Sequence, residues 1–142
     1  MQTINQLLQN KGNRVETVAT DATVFEALAI MADKGIGALV VMQDNKPVGL
    51  FSERDYARNI ILKGRTSKET QIAEVMSSHV VVAHPEQTVE DCMAIMTEKR
   101  VRHLPVMQDN QLIGIISIGD LVKAIIENQQ FVIEQLVNYI NG

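Results

Sequence analysis

The segments Gly49-Leu50-Phe51-Ser52-Glu53-Arg54-Asp55 and Gly114-Ile115-Ile116-Ser117-Ile118-Gly119-Asp120 both read G-x-x-S-x-x-D. In each, an apolar strand runs into the start of a helix, so a hydroxyl, a carboxylate and free backbone N–H groups gather at one spot. The N–H groups, the hydroxyl and the positive end of a helix dipole suit an anion, and a carboxylate one turn in can accept both hydroxyls of a ribose diol. The same spacing is a capping box, which satisfies orphan backbone donors without any ligand. The two roles can coexist, and what separates them is whether a pocket lies in front of the helix.

Charge near these segments is uneven. Arg54, Arg58, Lys63, Arg65 and Lys68 fall within fifteen positions of a chain whose net charge is -4. They read either as a solvated helix face and loop or as a phosphate site. The acidic balance, and the mixing of this cluster with Glu53, Asp55 and Glu69, argue against a nucleic-acid partner. Catalytic chemistry finds little support: His79, His84 and His103 have no Cys or carboxylate at metal spacing, and no Ser or Cys sits in a nucleophile motif. The expectation is no catalytic residue, no metal and no enzyme.

The elements that must position Ser52, Asp55, Ser117 and Asp120 come from a duplication. At an offset of 65, Thr23 to Asp55 aligns with Thr88 to Asp120 without a gap, and 15 of the 33 positions are identical. In the first copy, Val15 to Ala19 reads as a strand and Thr23 to Lys34 as a helix with Val24, Leu28 and Met31 at helical spacing. Ile36 to Met42 and Pro47 to Phe51 follow as a hairpin about Asp44-Asn45-Lys46, and a helix starts from Ser52. The second copy predicts strand Val80 to Ala83, helix Thr88 to Lys99, strands Arg102 to Met107 and Leu112 to Ile116, and a helix from Ser117. Pro105 stands where the first copy has Val40, so the first copy's strand should pair more regularly.

Short helices over Thr3 to Gln9 and Thr70 to Met76 precede the copies, and Lys63 to Lys68 is a polar linker. The domain expectation is therefore 1–62, linker 63–70, 71–128, and a helical extension 129–142. From Ile118 onward Leu121, Val122, Ile125, Ile126, Val132, Ile133, Leu136, Val137 and Ile140 keep helical spacing past the end of the repeat. Such a stripe packs on its own core or makes a homodimer, and the homodimer is the expectation taken here.

Composition fits this frame: 46% apolar and 4% aromatic residues, with no Trp, predict thin helix and sheet layers of aliphatic side chains. Cys92, amid Val89, Met93 and Met96, reads as a packed reduced thiol, which favours the cytoplasm. The leading segment Met1 to Leu8 lacks the basic start and apolar run of a secretion signal, and Ile36 to Met42 is too short to span a bilayer. No membrane role is expected.

The duplicated β-α-β-β-α order, the strands Ile36-Gly37-Ala38-Leu39-Val40-Val41 and Arg102-His103-Leu104-Pro105-Val106, and the two G-x-x-S-x-x-D segments together resemble a tandem CBS-domain, or Bateman, module. The resemblance covers essentially the whole chain and suggests a stand-alone CBS pair. It implies an α/β (α+β) fold in which two repeats pack with pseudo-twofold symmetry and leave two clefts for an adenine nucleotide: AMP, ADP, ATP or NAD(H), with S-adenosylmethionine a weaker candidate. One cleft would use Ser52, Arg54, Asp55, Val80, Val81, Arg102 and His103. The other would use Val15, Glu16, Ile36, Gly37, Ala38, Ser117 and Asp120. Arg102 and His103 stand where the first repeat has Gly37 and Ala38, so the Ser52 cleft should be the more basic and bind phosphate more tightly. Ligand in a cleft shared by both repeats would shift their arrangement and alter the docking of an unidentified regulated protein. The rival expectation is an interaction module in which Ser and Asp only cap helices.

Overall fold

A computed structural model describes residues 2–142; Met1, part of the segment read for a secretion signal, lies outside them. The elements run α1 (Ile4–Lys11), β1 (Thr17–Ala19), α2 (Val24–Lys34), β2 (Ala38–Gln43), β3 (Lys46–Ser52), α3 (Glu53–Tyr56), a π turn (Ala57–Ile61), α4 (Ile72–Val75), α5 (Val89–Lys99), β4 (His103–Gln108), β5 (Gln111–Ser117) and α6 (Ile118–Asn141). The fold is the mixed α and β architecture expected, with two sheets related by the repeat.

The hairpins match rung for rung. Ala38 pairs with Ser52 and His103 with Ser117, and both hairpins carry the same bulge, at Val41/Met42 and Val106/Met107. Each closes on an Asp-Asn pair with both residues at positive φ (Asp44 51°, Asn45 62°, Asp109 52°, Asn110 63°), the twist that a two-residue hairpin loop demands.

The leading strands differ, as the proline foretold. β1 runs parallel to β2 over Thr17–Ala19, and the Val40 N–H donates to Glu16 O at 3.3 Å. Pro105 has no N–H to offer at that rung, so the strand expected over Val80 to Ala83 shrinks to one bridge, Ala83 to Val106. The first copy therefore has a three-stranded sheet and the second a two-stranded one.

The short helices cross over. Ile4, Leu7 and Leu8 of α1 join the core built from Val89, Cys92, Met96, Leu104, Val106, Ile116 and Leu121, all in the second repeat. Ile72 and Val75 of α4 join Val24, Met31, Leu39, Val41, Phe51 and Ile60 of the first. Backbone bonds fix both exchanges: Ile4 N–H donates to Gln87 O and Ile72 N–H to Ala22 O, each at 2.8 Å. Each repeat thus completes its core with a helix that lies outside it in sequence, at roughly 1.5–3 kcal/mol for each large side chain fully buried.

Ile4 and Ile72 hold equivalent places, yet they are 68 positions apart while the sheets keep an offset of 65. The first connection is three residues longer, and α1 accordingly has 8 residues where α4 has 4. α6 continues through 24 residues without a break at 128, about 36 Å of helix, and every residue from Glu127 on is exposed.

Candidate functional site

Both Ser-x-x-Asp segments form capping boxes. The Ser52 N–H donates to Asp55 Oδ2 at 2.9 Å and the Asp55 N–H to Ser52 Oγ at 3.3 Å. At the second site the Ser117 N–H donates to Asp120 Oδ2 at 2.8 Å and the Asp120 N–H to Ser117 Oγ at 3.1 Å. In front of each box lies a cleft built from both repeats, so capping and a cavity occur together.

The Ser52 cleft, about 190 Å³, is lined by Ser52, Arg54, Asp55, Arg102 and His103, which the structure brings together, and also by Leu50, Arg58, Ser77, His79, Arg100 and Val101. Val80 and Val81 are not among its lining residues; Val81 packs against the second core instead. The linker cations Lys63, Arg65 and Lys68 do not line it either. That linker caps α2, where the Val24 N–H donates to Thr70 O and the Phe25 N–H to Ser67 O, and Lys68 sits 5.3 Å from the Phe25 ring centre. The basic wall is supplied by Arg54, Arg58, Arg100 and Arg102. Repulsion from Arg102, then from Arg58, lowers the Arg54 guanidinium below its ordinary pKa despite Asp55. Crowded like charges of this kind favour an anion between them.

The Ser117 cleft is larger, about 470 Å³, within the span of small-molecule pockets. Val15, Glu16, Ile36, Gly37, Ala38, Ser117 and Asp120 all line it, with Lys11, Gly12, Arg14, Gly35, Ile115 and His103. Gly37 leaves the Glu53 carboxylate as the nearest neighbour on that wall. Lys11 and Arg14 are cations that the repeat comparison did not reach, because they fall before the aligned window. Lys11 Nζ donates to Asp120 Oδ2 at 2.7 Å and to Ile115 O at 2.6 Å. Burial pushes the Asp120 carboxyl up, but the Lys11 and Ser117 hydrogen bonds and the Lys11 charge outweigh it and hold it below the usual carboxylate range. Arg14 is paired with Glu16 at 3.0 Å. The Ser52 cleft, expected to be the more basic, is lined by four arginines crowded together, and the Ser117 cleft also holds cations, Lys11 and Arg14, each paired with a carboxylate.

Comparison with known proteins agrees with this architecture. The family model for the CBS domain matches twice, over residues 12–62 and 72–127. The CBS domain-containing protein CBSX3, mitochondrial, of Arabidopsis thaliana is 36% identical over 99% of this chain and 72% of its own length. A crystal structure of the CBS domain NE2398 is 48% identical, with TM-score 0.83, and covers 89% of this chain and 99% of its own. A third structure, the CBS domain pair of MJ0100 in complex with 5'-methylthioadenosine and S-adenosyl-L-methionine, shares the fold at 21% identity and TM-score 0.77, covering 90% of this chain and 98% of its own. The chain belongs to the CBS domain family, as a tandem pair. No helix among the described residues is long and apolar enough to cross a membrane.

Proposed function

We propose that this CBS pair is a regulatory, non-catalytic module that binds an adenine nucleotide, AMP, ADP, ATP or NAD(H), in the two clefts between its repeats. The observation that carries the reading is that each Ser/Asp box fronts a cleft with walls from both repeats and a cationic group close by. Ser and the backbone donors suit phosphate, and the carboxylates suit a ribose diol. Asp120 Oδ1 has no protein partner among the described residues, and Asp55 Oδ1 takes only the Ser77 hydroxyl at 3.3 Å. Adenosine-based ligands in a protein of the same fold support the ligand class. A ligand touching both repeats favours one arrangement of them, which is how binding would reach a regulated protein. The buried thiol of Cys92 suits a reducing, cytoplasmic setting.

Calorimetric titration of nucleotide-stripped protein with AMP, ATP, NAD and S-adenosylmethionine tests this reading. Binding in the micromolar range that Asp55→Ala and Asp120→Ala each weaken at one cleft supports it; no heat with any ligand leaves the interaction module, with boxes that only cap helices, as the function.

The same reading includes a homodimer through α6. Val122, Ile126, Ile133, Leu136 and Ile140 are 43–78% exposed, and their alternating spacings of four and three, with Gln129 in the missing place, form a coiled-coil seam. Glu127 and Glu134 lie off that seam, so two copies meet without like charges between them. Sedimentation of the wild type against Ile133→Asp/Leu136→Asp checks it: a monomeric wild type rules the seam out.

A further inference from the structure

His103 is the residue where the two clefts meet. Its half-buried ring lines the Ser52 cleft and the Ser117 cleft alike. Symmetry does not require this, since Ala38, its counterpart in the first repeat, lines only the Ser117 cleft. β4 sets His103 opposite Ser117 in the ladder, and four charges face it: Lys11 at the end of α1, Asp120 in the first turn of α6, Arg102 just before it in the chain, and Asp55 in α3. Each carboxylate belongs to a different cleft. Burial first, then Lys11, lowers the imidazole below its ordinary pKa, with Arg102 adding to this and Asp120 and Asp55 opposing it, which favours the neutral ring. A neutral imidazole has one N–H to give; an imidazolium has two and a positive charge.

We propose that His103 is a ligand contact shared by both clefts and couples them: an anionic ligand in either draws a proton from solvent onto the ring, and the imidazolium then favours an anion in the other. This rests on the nucleotide reading of the clefts. The sign follows from linkage. A ligand that raises the proton affinity of His103 binds more tightly as pH falls through the bound-state pKa, and the coupling fades once the ring stays neutral in the complex.

NAD is the suitable calorimetric probe, because its pyrophosphate does not titrate near neutrality and any proton taken up belongs to the protein. Titration near pH 6.5 in two buffers of different protonation enthalpy should show net proton uptake on filling each cleft, read separately in Asp55→Ala and Asp120→Ala. In the wild type the second NAD should bind about fivefold tighter than the first near pH 6 and no tighter near pH 8. His103→Gln should abolish uptake and coupling while both clefts still bind; His84→Gln, at an exposed histidine that lines neither cleft, should leave both. NMR of the wild-type His103 ring keeps the test independent of any variant's folding: its titration should move to higher pH with NAD or with AMP. Uptake unchanged in His103→Gln, or a ring whose titration ignores both ligands, overturns the proposal alone. Failure to bind NAD, AMP or ATP at all overturns the nucleotide reading with it.

Discussion

The two clefts start from the same serine and aspartate and end differently, and the difference lies in what reaches the preceding strand. In the first, Leu50 O accepts the backbone N–H of Ser77 at 2.8 Å, and the Ser77 hydroxyl touches Asp55. In the second, the equivalent Ile115 O accepts the Lys11 ammonium, which also holds Asp120. A neutral backbone contact on one side is a charged side-chain tie on the other. The repeat keeps the frame, and the two connecting segments, of unequal length, make the clefts unlike.

The sharpest contrast to break is in the cores. Phe51→Ala should cost about 3–5 kcal/mol and Ile116→Ala, at the matching position, about 2–5, read from urea midpoints. A larger loss at Ile116 would mean that the two-stranded half is the more tightly packed. Next come the strand glycines. A methyl at Gly49 runs into the Met76 side chain and the backbone O of Ser77, whereas at Gly114 it meets only the flexible end of Leu8. Gly49→Ala should therefore destabilise by about 1–3 kcal/mol and Gly114→Ala by less, and equal costs would show that the first site also relaxes freely.

Lys11→Met tests the tie itself. Both partners are partly exposed, so the loss should stay under about 1 kcal/mol near neutral pH. Because the folded pKa of Asp120 is depressed, its stabilisation is present above the ordinary carboxylate value of 3.8 and fades as pH falls through the folded value. Thermal melts of wild type and variant should therefore draw together as pH falls below about 4 and meet once Asp120 is protonated in the folded protein; a gap that persists at the lowest pH would place the effect in packing. The smallest expected signal is at Cys92, where the first repeat has Ala27. Burial, with Asp91 adding to it, pushes the thiol up to about 11, so Ellman's reagent should leave native protein essentially unmodified at pH 8 and react once it is unfolded. Fast native reaction would show that the second core opens far more readily than its packing suggests.

Much of the frame was legible because its signals are local and duplicated. The hairpins follow from Asp44-Asn45 and Asp109-Asn110 between apolar runs, and the helix starts from Thr23, Ser52, Thr88 and Ser117, each of which caps the helix after it. Pro105 announced the weaker leading strand through its missing N–H. The site was legible in part: the clefts' serines, aspartates and strand residues were named, but Lys11, Arg14, Arg58, Arg100 and Ser77 were not. A search at an offset of 68 beside that of 65 aligns Ile4 with Ile72 and exposes the longer first connection that carries Lys11. Arg100 sits at the left-handed C-cap of α5, φ 56°, where Gly35 serves α2, and that substitution was visible in the repeat without its bearing on the cleft being evident.

By itself the sequence determined the repeated frame: the positions of the two hairpins and their turns, the helix starts and the two Ser/Asp boxes, all set by contacts a few residues apart. Only the tertiary structure decided which helix completes which core, that α1 delivers Lys11 to Asp120 across 109 positions of chain, and that one imidazole borders both clefts. The physical reason is the same in each case. These contacts form when two amphipathic repeats bury their apolar faces together, and no periodicity in a single segment records which distant surface will arrive.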